Sequence, residues 1–327
     1  MKTNSSLPKE MRAAAIDRFG GPEVLTMHSL PVPKPKSHEV EIQLDTCGVG
    51  VWDPEVRTGD LKFGPTRFPL VMGNDGAGTV VSTGIDVSRF RVGDRVYGYA
   101  MQGGFYAEYV TVKEDNVAAI PPGLDMHEAG ALGADGITAL RGLDDQLHLR
   151  AGEKLMIFGA SGGIGHIAVQ LAKRIGADVL AVASGRDGVD LVTRLGADSA
   201  VNGHEDDIVA AAREFAPDGL DCALVLVGND KLSDVLAMMK QGGRVAHPNG
   251  VEPVPGAPEG VKVLAYDGEP GRDAFERLNG LIGSKPFHVE LGHVYPLDEA
   301  ARAHRAVGEH HLGKLALRIG ADQGVLS

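Results

Sequence analysis

Along the first third of the chain, apolar residues come in short alternating runs bounded by turn formers. Residues 40–44 alternate as a half-buried strand should, and 78–82 and 95–99 repeat the pattern between turn signals. Residues 92–95 and 103–110 fit the turns and strands of a small, irregular barrel. The Pro-Pro-Gly at 121–123 breaks this pattern, and the period beyond it becomes helical: 125–143 is predicted as a helix with His127 in its first turn. From Lys154 onward, strand and helix alternate. Strands are predicted at 155–158, 178–183, 199–201, 222–227, 244–247 and 261–266, separated by helices reaching Arg174, Leu195 and Glu214 and by one over 231–240. Such alternation demands a parallel sheet wrapped by helices on both faces. A helix at 272–281 lies outside that sheet. Strands at 293–297 and 315–319, around a helix at 297–307, are expected to pack back on the first unit. The fold class is α/β: a β-rich domain over 1–125, a doubly wound domain over 126–268, and a return to the first over 269–327.

Composition narrows the partners. A formal net charge of −12 over 327 residues disfavours nucleic acid or an anionic membrane, either of which wants a concentrated basic face. No apolar run is long enough to span a bilayer. The first ten residues are polar, lack an apolar signal core and are expected to form a frayed tail. Cys47 and Cys222, the two cysteines, cannot supply a four-thiolate zinc site and do not suggest a disulfide framework. A reduced, cytoplasmic setting is expected.

The most informative segment is the glycine-rich turn between the predicted strand at 155–158 and the helix after it. Its register is Ala160-x-Gly162-x-x-Gly165, with alanine at the first glycine position and Ser161, Gly163 and Ile164 between. Missing side chains let backbone approach a pyrophosphate, and the helix N-terminus turns its N–H groups and dipole toward it. A dinucleotide is the predicted cofactor. NAD-specific sites carry an acid at the end of the second strand; here Ser184 takes that place, with Gly185 and Arg186 following. A hydroxyl plus a guanidinium favours NADPH over NADH, with Asp187 acting against it; otherwise Arg186 is a solvated loop charge. Val227 and Gly228 end the fourth predicted strand, and Asn249 and Gly250 follow the fifth. Both pairs sit at carboxyl ends of strands, where doubly wound folds bind ligands.

Several motifs in order resemble the medium-chain dehydrogenase/reductase superfamily, and within it the zinc-independent quinone oxidoreductase branch. They are Arg12 to Ile16 with 19–25, 73–80 with 92–97, 104–109, the turn just described, 296–304 and 313–317. The resemblance implies a GroES-like catalytic domain with a Rossmann domain inserted, the cofactor lying between them. It also implies a homodimer paired through the sixth-strand edge at 261–266. Where the zinc-bearing branch has ligands, this chain aligns Gly50, Asn74 with Asp75, and Ala134, which cannot make a three-ligand catalytic site. No metal is expected. Related enzymes place a lysine and a tyrosine near the 2′-phosphate, where Gly188 and Gly203 stand here.

Without a metal, charge developing on a substrate oxygen must be met by hydrogen-bond donors or delocalised, which suits quinones and α,β-unsaturated carbonyls. The resemblance places the substrate wall at 51–57, Asn74 and 134–136. Trp52 is either a flat wall against a ring or a packing anchor. Asn74 could donate to a substrate carbonyl. Asp53 reads as a turn or cap residue. Asp135 either faces the nicotinamide or caps a helix turn. Thr138 either lies near the nicotinamide or bonds its own helix backbone. The leading expectation is an NADPH-dependent reductase of small-molecule quinones or enones. The alternatives are a catalytically weak dinucleotide-binding sensor or scaffold, and a zinc-free reductase of another carbonyl.

Overall fold

The alternating runs of the first third become eight strands in the computed structural model, which describes residues 7–320 except Ser284. They are β1 (Glu10–Ile16), β2 (Leu25–Pro31), β3 (Glu39–Val49), β4 (Leu70–Val71), β5 (Asp75–Thr83), β6 (Arg95–Tyr99), β7 (Tyr109–Lys113) and β8 (Val117–Ala119), with α1 (Asp53–Thr58) after β3. The polar segment expected as a tail lies, for residues 1–6, outside the described residues. The chain then passes through α2 (Met126–Gly130) and α3 (Gly133–Leu140) into six parallel strands: β9 (Lys154–Phe158), β10 (Asp178–Ala183), β11 (Ser199–Asn202), β12 (Leu220–Val225), β13 (Met239–Pro248) and β14 (Lys262–Tyr266). Their spatial order, β11-β10-β9-β12-β13-β14, is the 3-2-1-4-5-6 arrangement of a dinucleotide-binding sheet. The helices between them are α4 (Gly163–Ile175), α5 (Gly185–Arg194), α6 (Ile208–Phe215) and α7 (Leu232–Leu236).

After α8 (Arg272–Ile282), the chain returns to the first unit as β15 (Leu291–Pro296), α9 (Ala300–Ala306) and β16 (Lys314–Arg318). β16 pairs antiparallel with β3, giving the order β15-β16-β3-β5-β6-β8, with β7 also on β3; β2-β1-β4 form a smaller sheet. The central strands β9 and β10 are near-continuous apolar runs because helices cover both faces. On α4, Ala168 and Ala172 are fully buried, so small side chains let the helix sit close to its neighbours.

Three expected elements change. The single helix at 125–143 is instead α2, α3 and a π-helical turn at Arg141–Gln146. Asp125 caps α2 reciprocally with Glu128, and glycines set the packing of α3 and the π-helical turn. A Cβ on Gly133 would stand 3.0 Å from the Gly98 carbonyl oxygen, and one on Gly142 would stand 2.4 Å from the Tyr266 hydroxyl. The helix expected over 231–240 stops at Leu236, because Met239 pairs with Leu220 in the sheet and Lys240 meets Asp221 at 2.8 Å. Tertiary pairing overrides the helical pattern there. The fourth parallel strand ends at Val225, so Val227 and Gly228 lie just beyond it. Among the described residues, no helix is long and apolar enough to cross a membrane.

Candidate functional site

The glycine turn follows β9 at the point where the sheet order reverses, and the end of β12 lies beside it. Gly159 takes the left-handed backbone conformation at φ 89°. Because that duty falls on Gly159, Ala160 fits as the first motif residue; it is fully buried and its N–H donates to the Val182 carbonyl at 2.9 Å. The other glycines divide the work. A Cβ on Gly165 would stand 2.2 Å from the Gly159 carbonyl oxygen, so this glycine lets α4 close on the turn. A Cβ on Gly162 would find only that same oxygen, at 3.6 Å, and would project into open space. That space is a cavity of about 300 Å³ lined by Ser161, Gly162, Gly163, Ile164, Gly165 and Ser184 from one side and by His310, Gly313 and Lys314 from the other. Unobstructed backbone at a helix N-terminus fits a dinucleotide pyrophosphate.

A second cavity of about 420 Å³ adjoins it, and Val51, Ile164, Leu226 and Val227 line both. Its walls include Trp52, Leu61, Phe63, Tyr99, Met101 and Thr138, with Gly228, Asn249 and Gly250 on the Rossmann side. Trp52 is both anchored and exposed to the cavity. It lines the cavity, while its indole N–H donates to Asn74 Oδ1 at 2.9 Å and Lys314 Nζ lies 5.1 Å from its ring. Asn74 gives its amide hydrogens to the carbonyls of Ala100 and Met101 at 3.1 and 2.8 Å. The expected donation from Asn74 to a substrate carbonyl would therefore require breaking one of these bonds; Asn74 acts on the site by fixing Trp52. Thr138 lines the cavity, yet its hydroxyl donates to the Ala134 carbonyl at 2.8 Å. Asn249 donates to Asp267 at 2.8 Å.

Asp135 neither caps a helix turn nor stands alone. Lys314, itself 3% exposed, donates to its Oδ1 at 2.7 Å. Burial opposes the charge on Lys314, but Asp135, Asp75 and Asp53 outweigh it and hold the ammonium above its ordinary range. Burial raises the Asp75 carboxyl, with Lys314 counteracting. Burial also pushes Asp53 up to about 6, against the bonds it accepts from Tyr106 and the Gly50 N–H. Asp53 thus holds the turn into α1. Behind it, Arg57 contacts His304 Nδ1 at 2.9 Å, and His304 Nε2 lies 3.3 Å from the Tyr106 hydroxyl. Burial pushes His304 down to about 3, so it is a neutral link.

At the ribose end, Ser184 Oγ lies 3.0 Å from His204 Nε2 and 3.5 Å from His310 Nδ1. His310 reaches Asp187 at 3.0 Å, which turns the carboxylate away from the role of a free opposing charge. Gly185 supplies a left-handed turn at φ 74° but does not line the cavity, and neither does Arg186, which is exposed beside it. His204, His310 and Lys314 are the residues sequence reasoning missed. The Gly-Lys pair at 313–314 stands out as a motif but without a role, and the histidines carry no spacing signal.

The residues that the resemblance sets against zinc ligands do not fit a metal. Gly50 has no side chain, Asn74 is fully engaged, Ala134 is buried, and Asp75 accepts the Ala134 N–H at 2.9 Å. Among the described residues, no group of three His, Cys, Asp or Glu side chains could hold an ion.

A glycine turn at a sheet's switch point, facing a barrel across a cleft, is where doubly wound folds bind dinucleotides. Residues 36–122 match the family model "Alcohol dehydrogenase GroES-like domain" and 163–248 match "Zinc-binding dehydrogenase". The chain is 33% identical to a quinone oxidoreductase of Mus musculus over 95% of its own length and 98% of that protein's. A crystal structure of an NAD-dependent alcohol dehydrogenase superposes with a TM-score of 0.86 at 29% identity, covering 95% of this chain and 100% of that one. A mycobacterial protein complexed with NADPH does so at 0.82 and 26%, covering 94% and 100%. The chain belongs to the medium-chain dehydrogenase/reductase superfamily of oxidoreductases, with quinone oxidoreductases among its relatives.

Two glycines should separate binding from folding. Gly162→Val is expected to leave the thermal midpoint nearly unchanged while weakening dinucleotide binding at least tenfold, read by fluorescence titration. Gly165→Ala should lower the midpoint, because its Cβ meets backbone. Asp53 generates a pH signature. Its folded-state pKa, about 6, lies above the unfolded value, so its contribution is complete below about pH 4 and is lost as pH rises through 6. In Asp53→Asn, the fall in stability between pH 5 and pH 8 should shrink by roughly 1 kcal/mol, measured as urea midpoints; identical falls in both proteins would contradict the assignment.

Proposed function

We propose that the protein is a zinc-independent, NADPH-dependent oxidoreductase that reduces neutral quinones or α,β-unsaturated carbonyls. The observation that carries this reading is the pair of adjoining cavities, one on the glycine turn and one walled by Trp52, Leu61, Phe63, Tyr99 and Met101. Among the described residues, the charged side chains lining the second are Glu55, Glu252 and Asp267, and no Lys, Arg or His lines it. An apolar, acid-rimmed chamber favours uncharged conjugated acceptors over carboxylates or phosphorylated thioesters. Bound NADPH would supply a hydride. The chain's part is to seat the dinucleotide on the Gly162 backbone, present the acceptor ring to Trp52 and limit water. Ser184, with ring nitrogens of His204 and His310 within reach of its hydroxyl, supports the NADPH reading, since hydroxyl and imidazole N–H groups can donate to a 2′-phosphate.

Purified, chelator-treated protein is expected to oxidise NADPH with neutral quinones or enones, and at least tenfold less efficiently with carboxylate-bearing analogues. Tight NADPH binding without turnover on any of them would favour the sensor reading instead. The exposed edge strand β14, where Val263 is 38% accessible, supports pairing with a second copy of the chain; gel filtration at the dimer mass is the expected result, and a monomer would remove it.

A further inference from the structure

The acceptor cavity contains aromatic and hydroxyl side chains whose hydrogens are already committed. Thr138 donates to Ala134, Tyr266 donates to the Thr138 carbonyl at 3.0 Å, and Trp52 donates to Asn74. Tyr99 differs. It ends β6, lines the same cavity and is 6% exposed, yet its hydroxyl makes no hydrogen bond among the described residues. Nor is that oxygen one of the fully enclosed polar atoms without partners, which are Glu41 Oε1 and Asp53 Oδ1 among the described residues. The small surface that Tyr99 keeps therefore includes its hydroxyl. A phenol held in a packed strand with its donor left over is preorganised for a ligand acceptor.

We propose that Tyr99 donates a hydrogen bond to the carbonyl oxygen of the acceptor and stabilises the negative charge that grows there as hydride arrives at carbon. This rests on the quinone or enone reading above and adds the residue that does the work a metal would otherwise do. Tyr99 acts as a donor and not as a base. Burial, with the nearby acids Asp75, Asp135, Asp267 and Glu269, pushes its phenol above the ordinary tyrosine range, so the hydroxyl stays protonated throughout the working range. No proton need leave it. The hydride and its electron pair go to the acceptor carbon, the oxygen gains charge, and solvent supplies the proton that completes the product. Asn249, with one amide hydrogen engaged by Asp267, stands on the opposite, Rossmann wall.

The test is Tyr99→Phe, which keeps the ring and removes the donor. Wild type and variant would be compared for NADPH affinity by fluorescence, for thermal midpoint, and for kcat and KM with a quinone and an enone. The expected result is a kcat/KM for the acceptor reduced by about tenfold to a hundredfold, with NADPH affinity within twofold and the midpoint little changed. Acceptor turnover within twofold of wild type would overturn the proposal alone. A parallel loss of NADPH binding would also overturn it, by making Tyr99 structural. If the wild-type chain reduces neither acceptor class, the functional reading fails first and the proposal falls with it. Asn249→Ala is measured alongside; a loss confined to that variant would assign the donor to the Rossmann wall instead.

Discussion

One buried ammonium ties the two halves of this molecule together. Lys314 enters from the returning strand, contacts Asp135 on the helix that leads into the Rossmann sheet, and shares the field of Asp75 in the barrel and Asp53 at its rim. The packing around it leaves no room for side chains: a Cβ on Gly48 would lie 2.5 Å from an Asp75 oxygen, and one on Gly163 would lie 2.2 Å from an Asp135 oxygen. Next to Lys314, Gly313 donates its N–H to the Ser161 carbonyl in the glycine turn at 2.8 Å. Barrel, connecting helix and glycine turn therefore meet at one point. Removing one partner of such a buried pair costs about 3–5 kcal/mol, because the other charge is stranded away from water. The cleft depends on this junction.

The same ammonium shapes the wall of the second cavity. It lies over the face of Trp52, whose N–H is held by Asn74, whose amide is held in turn by two backbone carbonyls. Asn74 is thus the middle link of a fixed hydrogen-bond chain from the indole to the barrel backbone. The wall is rigid because its polar atoms satisfy one another, and for the same reason it leaves few donors facing the cavity. Positive charge is present nearby but is neutralised by carboxylates. Among the described residues, the charged side chains that line the second cavity are all acids.

Much of this is legible from residues 154–173. A buried apolar strand, a glycine-rich turn and a helix with small residues have a narrow set of physical uses, and the sheet order confirms the position of that turn at the reversal point. The substitution of alanine at position 160 reads correctly once Gly159 is seen to carry the positive φ. Less is legible where an element's fate depends on a distant strand. The run at 231–240 has helical periodicity, but Met239 is claimed by Leu220, and the helical stretch at 125–143 is divided where glycines admit the barrel and Tyr266.

Local sequence determined the strand–helix alternation and the glycine turn between β9 and α4, because these depend on periodicity and side-chain chemistry over short spans. Tertiary structure decided the rest. His310 meets Asp187 and Ser184 only because the last segment folds back, Lys314 finds Asp135 across 179 residues of chain, and Asn74 loses its freedom to donate when the barrel closes on it. Pairings between remote segments leave no trace in spacing, since nothing local distinguishes a lysine that will be buried from one that stays in water.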